Sequence, residues 1–320
     1  MTRYQKISHN DHNLLKEFGM LGIQLIFGAG VFIALSNFCM RRSIDAGGTS
    51  KAFLMIQLFL VFLVAILLYP VRNQDFYWSN SMALFGLAGG VILALMMASL
   101  GRALESGPPG MTFAALNAST VMPTILMVLF FGSPFGYKYT WLDAIGSLFV
   151  VGGIFWAGWK RAQGEQKNNW ILFVTAAFFL HVLFLVVLNW RALFINYSGH
   201  QGLVFSFTRE DAQSQWFMPM VFLAACAYQV VNYMVSEKRA PHKGEVMYGI
   251  LGGIANGVGT FFMIRATEVA KPFEHAIIFP LFAVTIIVLC NIWGRWLYKE
   301  NVNWTANALC ILGIVLSIFK

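Results

Sequence analysis

RALESGPP at residues 102–109 and RATEVAKP at residues 265–272 carry Arg, Ala, Glu and Pro in one register, 163 positions apart in a chain of 320. The match extends backwards. Gly89-Gly90 precede Arg102 by the spacing that separates Gly252-Gly253 from Arg265. Each copy reads as a glycine-rich helix ending in RAxE, a short turn, and a proline opening the next helix. Proline suits that first turn, because its missing N–H would go unpaired there in any residue. Five residue types matching at one offset point to an internal duplication.

Composition states what is duplicated. Apolar residues make up 58% of the chain, charged residues 11%, and the mean hydropathy is +0.66. Soluble domains run at about 45–50% apolar and about 25% charged, so the chain reads as an integral membrane protein. Apolar stretches of about 20 residues fit the bilayer core as helices. Ten are expected, near 18–39, 52–71, 81–101, 109–131, 139–159, 170–190, 216–236, 246–266, 273–294 and 303–319. A polar segment (1–17) precedes them, a linker (160–169) divides them, and a long loop (191–215) follows the sixth. The segments are continuously apolar rather than alternating, which argues against a β-barrel. The polar start does not resemble a cleavable signal peptide.

The expected fold class is therefore all-α and integral to the membrane, with ten transmembrane helices arranged as two inverted five-helix repeats, 18–159 and 170–319. Five is odd, so the second repeat enters from the opposite side, and a pseudo-two-fold axis lies in the membrane plane. Secondary transporters use such repeats to present one site to two sides in turn. Lys and Arg divide almost evenly between the two sides, which leaves the orientation open.

TFAALNASTVMPTILMVLFFG (112–132) and YKENVNWTANALCILGIVL (298–316), with the RAxE turns, resemble the EamA-like branch of the drug/metabolite transporter superfamily. Ser133 stands where that family usually has Glu, and Ala306 replaces the first of its paired glycines. The resemblance implies alternating-access transport of a small polar or zwitterionic metabolite, an amino acid, a derivative of one or a nucleoside-like compound, with exchange as one mode. It also implies a central cavity lined by helices 1, 3, 4, 6, 8 and 9, and a bacterial inner membrane as the setting. A flippase for lipid-linked head groups and a non-transporting receptor or scaffold are the alternatives.

Polar residues deep in apolar helices are the natural functional candidates. His181, Asn117 and Asn256 lie mid-span and fall on the helices of the implied cavity. Neutral imidazole and amides both donate and accept hydrogen bonds, so they can read a polar ligand. His275, beside Glu274 at the start of the ninth span, and Gln24 in the first complete the expected substrate-binding set. Tyr228, Gln229 and Asn232 rank lower, on a helix expected to be peripheral. Ser119 and Thr120 are discounted, since such hydroxyls bond back to their own helix. Arg102 with Glu105, and Arg265 with Glu268, have the i,i+3 spacing of helix ion pairs and are expected to act in gating. Pro123 and Pro280 are expected to kink the fourth and ninth helices. Trp78, Trp141, Trp170 and Trp304 are expected at the membrane interface. Cys39, Cys226, Cys290 and Cys310 read as packing residues. There is no Walker motif, nucleophile–base pair or metal-ligand cluster, so neither enzyme activity nor a cofactor or metal is expected. The expected partners are a small-molecule substrate and membrane lipid, with homodimerisation left open and no role for nucleic acid.

Overall fold

The computed structural model describes residues 21–107, 109–123, 126, 140–159, 165–196, 208–269, 275–299 and 304–316. Among them the secondary structure is helical throughout. The longer helices are α1 (Leu21–Asp45), α2 (Ser50–Ile66), α3 (Asn80–Ser106), α4 (Pro109–Ala118), α5 (Trp141–Trp159), α6 (Glu165–Asn196), α7 (Phe217–Ser236), α8 (Lys243–Val269), α9 (His275–Tyr298) and α10 (Trp304–Leu316). A short helix, Arg209–Gln213, precedes α7.

Among the described residues, six helices are long and apolar enough to cross a membrane: Leu21–Asp45, Ser50–Val71, Asn80–Ser106, Asn168–Ala192, Phe217–Ser236 and Lys243–Thr267. The other four expected spans, 109–131, 139–159, 273–294 and 303–319, each run partly outside the described residues.

Local chemistry sets the helix ends. Thr49 and Ser79 cap α2 and α3, their hydroxyls accepting from Ala52 N and Met82 N, which satisfies otherwise orphaned amides. Thr208 and Asp211 form a capping box on the short helix. Pro70 lacks an N–H, and α2 widens there into a π turn, Leu67–Val71. The helix α6 runs past both expected limits, taking in residues assigned to the linker and the long loop. Buried side chains hold its two ends. Trp170 donates to Thr112 Oγ1 at 2.9 Å, and Arg191 Nε donates to the Ala212 carbonyl at 3.1 Å. Trp170 is thus a correction: it is 3% exposed and packs over Gly107, whereas Trp78, Trp141 and Trp304 are exposed.

Packing runs between the two halves of the chain. α8 lies on α1 and α2, and α3 lies on α6 and α7. α2 packs on α7, α5 on α10, α9 on α1 and α4, and α4 on α6. Glycines make the closest of these approaches. A Cβ at Gly86 would meet Met220 Cβ at 3.1 Å, and one at Gly249 would meet Ile56 Cβ at 2.8 Å. A Cβ at Gly90 would collide with the Val221 carbonyl and lie 2.7 Å from Ala224 Cβ. One at Gly253 would lie 3.0 Å from the Gln57 carbonyl and 2.7 Å from Leu60 Cβ.

The turns fall on two faces. Face I gathers the α1–α2 turn, the end of α3 and the α7–α8 turn: Thr49 N donates to Glu245, Ser50 to Glu105, and Lys51 pairs with Glu237. Face II gathers the α2–α3 turn and the segment before α7: Asn73 donates to Gln215, Ser79 to Asp211, and Ser214 to the Tyr77 carbonyl.

Candidate functional site

The polar interior is built around a break in α4. After Ala118 the helix tightens into a 3₁₀ turn, Ser119–Val121, ahead of the buried Pro123. A proline cannot donate to the carbonyl one turn back, and helices kink at such points. The Leu116 carbonyl beside the break is held by two side chains. Ser119 Oγ donates to it at 2.5 Å, and His181 Nδ1, from α6, lies 3.0 Å away. His181 Nδ1 also lies 2.6 Å from Ser119 Oγ. A carbonyl only accepts, so the hydrogen sits on Nδ1, and Nε2 is left as an acceptor. Ser119 therefore does more than bond back to its own helix. It joins α4 to α6.

Asn117, 3% exposed, stands next to this junction, its Nδ2 donating to Phe113 O of its own helix at 2.7 Å. Asn256, 7% exposed, lies on α8, where Thr260 Oγ1 donates to its Oδ1 at 3.4 Å. The fold thus joins His181 to the Asn117 stretch and sets Asn256 on the helix that packs on α1 and α2. Gln24 is exposed on α1. His275 opens α9 and Pro280 lies within it, but their side chains fall outside those described, as does that of Glu268. Glu274 lies outside the described residues. Gln229 corrects the expectation of a peripheral α7: it is fully buried and donates to Ala94 O on α3 at 3.4 Å. Asn232 in turn donates to Gln229 Oε1, while Tyr228 is exposed.

The expected Arg102–Glu105 ion pair does not form. The Arg102 guanidinium stacks over Phe173 of α6, 5.3 Å from the ring centroid. Glu105 instead accepts from both N and Oγ of Ser50, at 3.2 and 2.5 Å. A carboxylate at the start of α2 satisfies unpaired amides and meets the positive end of the helix dipole, which outweighs an exposed pair along one helix. Arg265 is exposed at the end of α8.

A cavity of about 60 Å³ lies towards face II, between α6, α7, α8 and α9. Asn189, Arg191, Phe217, Met263, Thr267 and Phe279 are among its lining residues; His181, Asn117 and Asn256 are not. It has room for a few waters and is far below the about 300–1,000 Å³ of ligand sites. Arg191 stacks over Phe217 at 5.0 Å. At the opposite end the approach of α2 to α3 is closed. Phe53, Leu54, Leu100 and Leu104 are at most 2% exposed, and a Cβ at Gly101 would lie 2.8 Å from Ser50 Oγ.

Face I holds a charged cluster that the sequence reading passed over. Glu245, 1% exposed, accepts from Arg239 Nη1 and Nη2 at 2.9 and 2.7 Å, Thr49 N at 2.8 Å and His242 N at 2.6 Å. The Glu245 carboxylate raises the Arg239 guanidinium above its ordinary value, so that end stays charged. Its one signal in the sequence is an acid immediately before the span expected at 246–266. On face II, hydrogen bonds from Ser79 and Thr208 hold the Asp211 carboxyl below its ordinary value.

No protein-family model matches the chain, and no curated protein matches it. Among solved structures, one described only as the crystal structure of a protein superposes with a TM-score of 0.61, covering 93% of this chain and 94% of its own at 11% identity. That similarity is one of fold, and it extends over nearly the whole helical architecture.

Proposed function

We propose that the chain is a secondary transporter in which two inverted five-helix repeats carry a small polar or zwitterionic metabolite by alternating access. The supporting observation is a correspondence between the halves. Exchanging α1–α5 with α6–α10 turns the packing of α8 on α1 and α2 into that of α3 on α6 and α7, and leaves the α2–α7 and α5–α10 contacts unchanged. The correspondence reaches single residues. Gly86, Gly89 and Gly90 answer to Gly249, Gly252 and Gly253, each 163 apart. The residues facing two of these pairs answer as well: Ile56, Gln57 and Leu60, against Gly249 and Gly253, answer to Met220, Val221 and Ala224, against Gly86 and Gly90, each 164 apart. Gln74 and Lys238, 164 apart, both take positive φ, 50° and 49°, where α2 and α7 end.

The ends of the molecule differ as an alternating mechanism requires. The cavity residues Met263 and Thr267 answer to Leu100 and Leu104, which are closed over. A substrate would enter from face II as α6 and α7 part from α8 and α9. Ahead of it lies the α4 break, where His181 Nε2 and the Asn117 amide supply polar contacts in an apolar interior. Such groups cost free energy when unpaired, which favours a ligand able to pair with them.

Proteoliposomes screened for uptake and counterflow against pooled metabolites test this directly. Saturable flux of one pool, with countertransport of its members, is expected. Absence of saturable flux for every pool would overturn it.

A further inference from the structure

Three consecutive residues at the start of α2 meet three carboxylates from three helices. Thr49 N donates to Glu245 at the start of α8. Ser50 donates to Glu105 at the end of α3. Lys51 Nζ lies 3.5 Å from Glu237 at the end of α7. Arg239 ties two of these acids together, reaching Glu245 at 2.7 Å and Glu237 at 3.5 Å. Gly48 belongs to the same device: a Cβ there would lie 2.6 Å from Glu245 Cγ, so only glycine lets the α1–α2 turn sit down on that carboxylate.

The corresponding positions on face II are built alike but carry different chemistry. Lys51 and Glu237 answer, 164 residues on and back, to Gln215 and Asn73. Those two side chains are bonded to each other as well, Asn73 Nδ2 donating to Gln215 Oε1 at 2.9 Å. One contact is thus an ion pair on face I and a neutral amide pair on face II. Glu245, 163 residues back, answers to Met82, which is buried and has no charge. Ser50 answers to Ser214, whose hydroxyl goes to the Tyr77 carbonyl rather than to a carboxylate.

We propose that this charged cluster is an ionic latch on face I that sets the resting conformation of the molecule, closed at face I, and that the neutral Asn73–Gln215 pair, its positional counterpart on face II, supplies no such latch. The proposal rests on the alternating-access reading. A contact made in only one of two conformations shifts their populations by its own free energy. Charge-assisted hydrogen bonds are roughly twice as strong as neutral ones, and Glu245 makes its contacts out of water. The outer Lys51–Glu237 pair is partly solvated, so its share is small and falls with salt.

Two variants of the full chain in liposomes test the latch, each read by reporter cysteines at corresponding positions, Leu104→Cys near face I and Thr267→Cys near face II. The native cysteines are buried. The first variant, Lys51→Gln with Glu237→Asn, places the face II pair on face I. The second, Glu245→Met, installs the residue found at the corresponding site. Without substrate, labelling of Leu104→Cys should rise about three-fold in the first variant and more in the second, while labelling of Thr267→Cys falls. Raising the salt concentration should move the parent protein in the same direction and leave the first variant unchanged.

Should Glu245→Met fail to fold, the surface pair exchange and the salt series still decide the matter. An unchanged ratio of the two labels in the folded pair-exchange variant, together with a salt-insensitive parent, would overturn the latch. Because the labels are read without substrate, flux with no shift rejects the latch alone. A shift without flux in any pool rejects the transport reading alone.

Discussion

His181 shows how a single residue can be located by sequence and still be misjudged in its partners. A lone imidazole deep in an apolar helix marks a polar event. The sequence does not say that its Nδ1 closes a helix break on another element through Leu116 O and Ser119. His181→Ala removes that tie and the Nε2 acceptor together, whereas His181→Asn retains a donor of similar reach. A buried hydrogen bond contributes about 1 kcal/mol. Thermal melting should therefore register a loss near that size for His181→Ala and less for His181→Asn, and both should lose most of the saturable flux. Full flux in either variant would make the residue a packing group only. Glu105 was legible as important, but its partner was not. Spacing along one helix suggested Arg102, and only the fold brings the start of α2 within reach.

At the scale of elements, the glycine pairs were the most reliable guide, because close approach of backbones is a demand that few residues can meet. Gly90 and Gly253 face α7 and α2 at corresponding heights. Gly90→Val and Gly253→Val should destabilise by similar amounts, about 1–3 kcal/mol each from overpacking, whereas valine at Gly152, where nothing lies within 4 Å, should be tolerated. Detergent-solubilised melting curves check this. A large effect at one of the pair and none at the other would contradict the correspondence. Helix ends were less legible. The α6 ends were misplaced because Trp170 and Arg191 look like interfacial residues by type and are buried by tertiary contacts. The α4 break follows from Pro123, but its rescue by a histidine 58 positions further on is not written in any local pattern.

For the whole molecule, the correspondence between the two halves was readable because it keeps one register in the sequence, and the difference between the two faces was not, because it resides in pairs such as Lys51–Glu237 and Asn73–Gln215 that lie far apart in sequence. The central claim is that one face opens as the other closes. Its most direct test joins Lys51→Cys to Glu237→Cys with a short bifunctional thiol reagent, holding face I shut, and then measures labelling of Leu104→Cys and Thr267→Cys by a membrane-impermeant maleimide from each side, with and without a metabolite pool that gives saturable flux. Without the cross-link, the pool should expose Leu104→Cys from the opposite side of the membrane as Thr267→Cys becomes protected; with it, Leu104→Cys should stay protected and Thr267→Cys reactive throughout. A Leu104→Cys that becomes reactive in the cross-linked protein, or two sites that react from the same side, would contradict it.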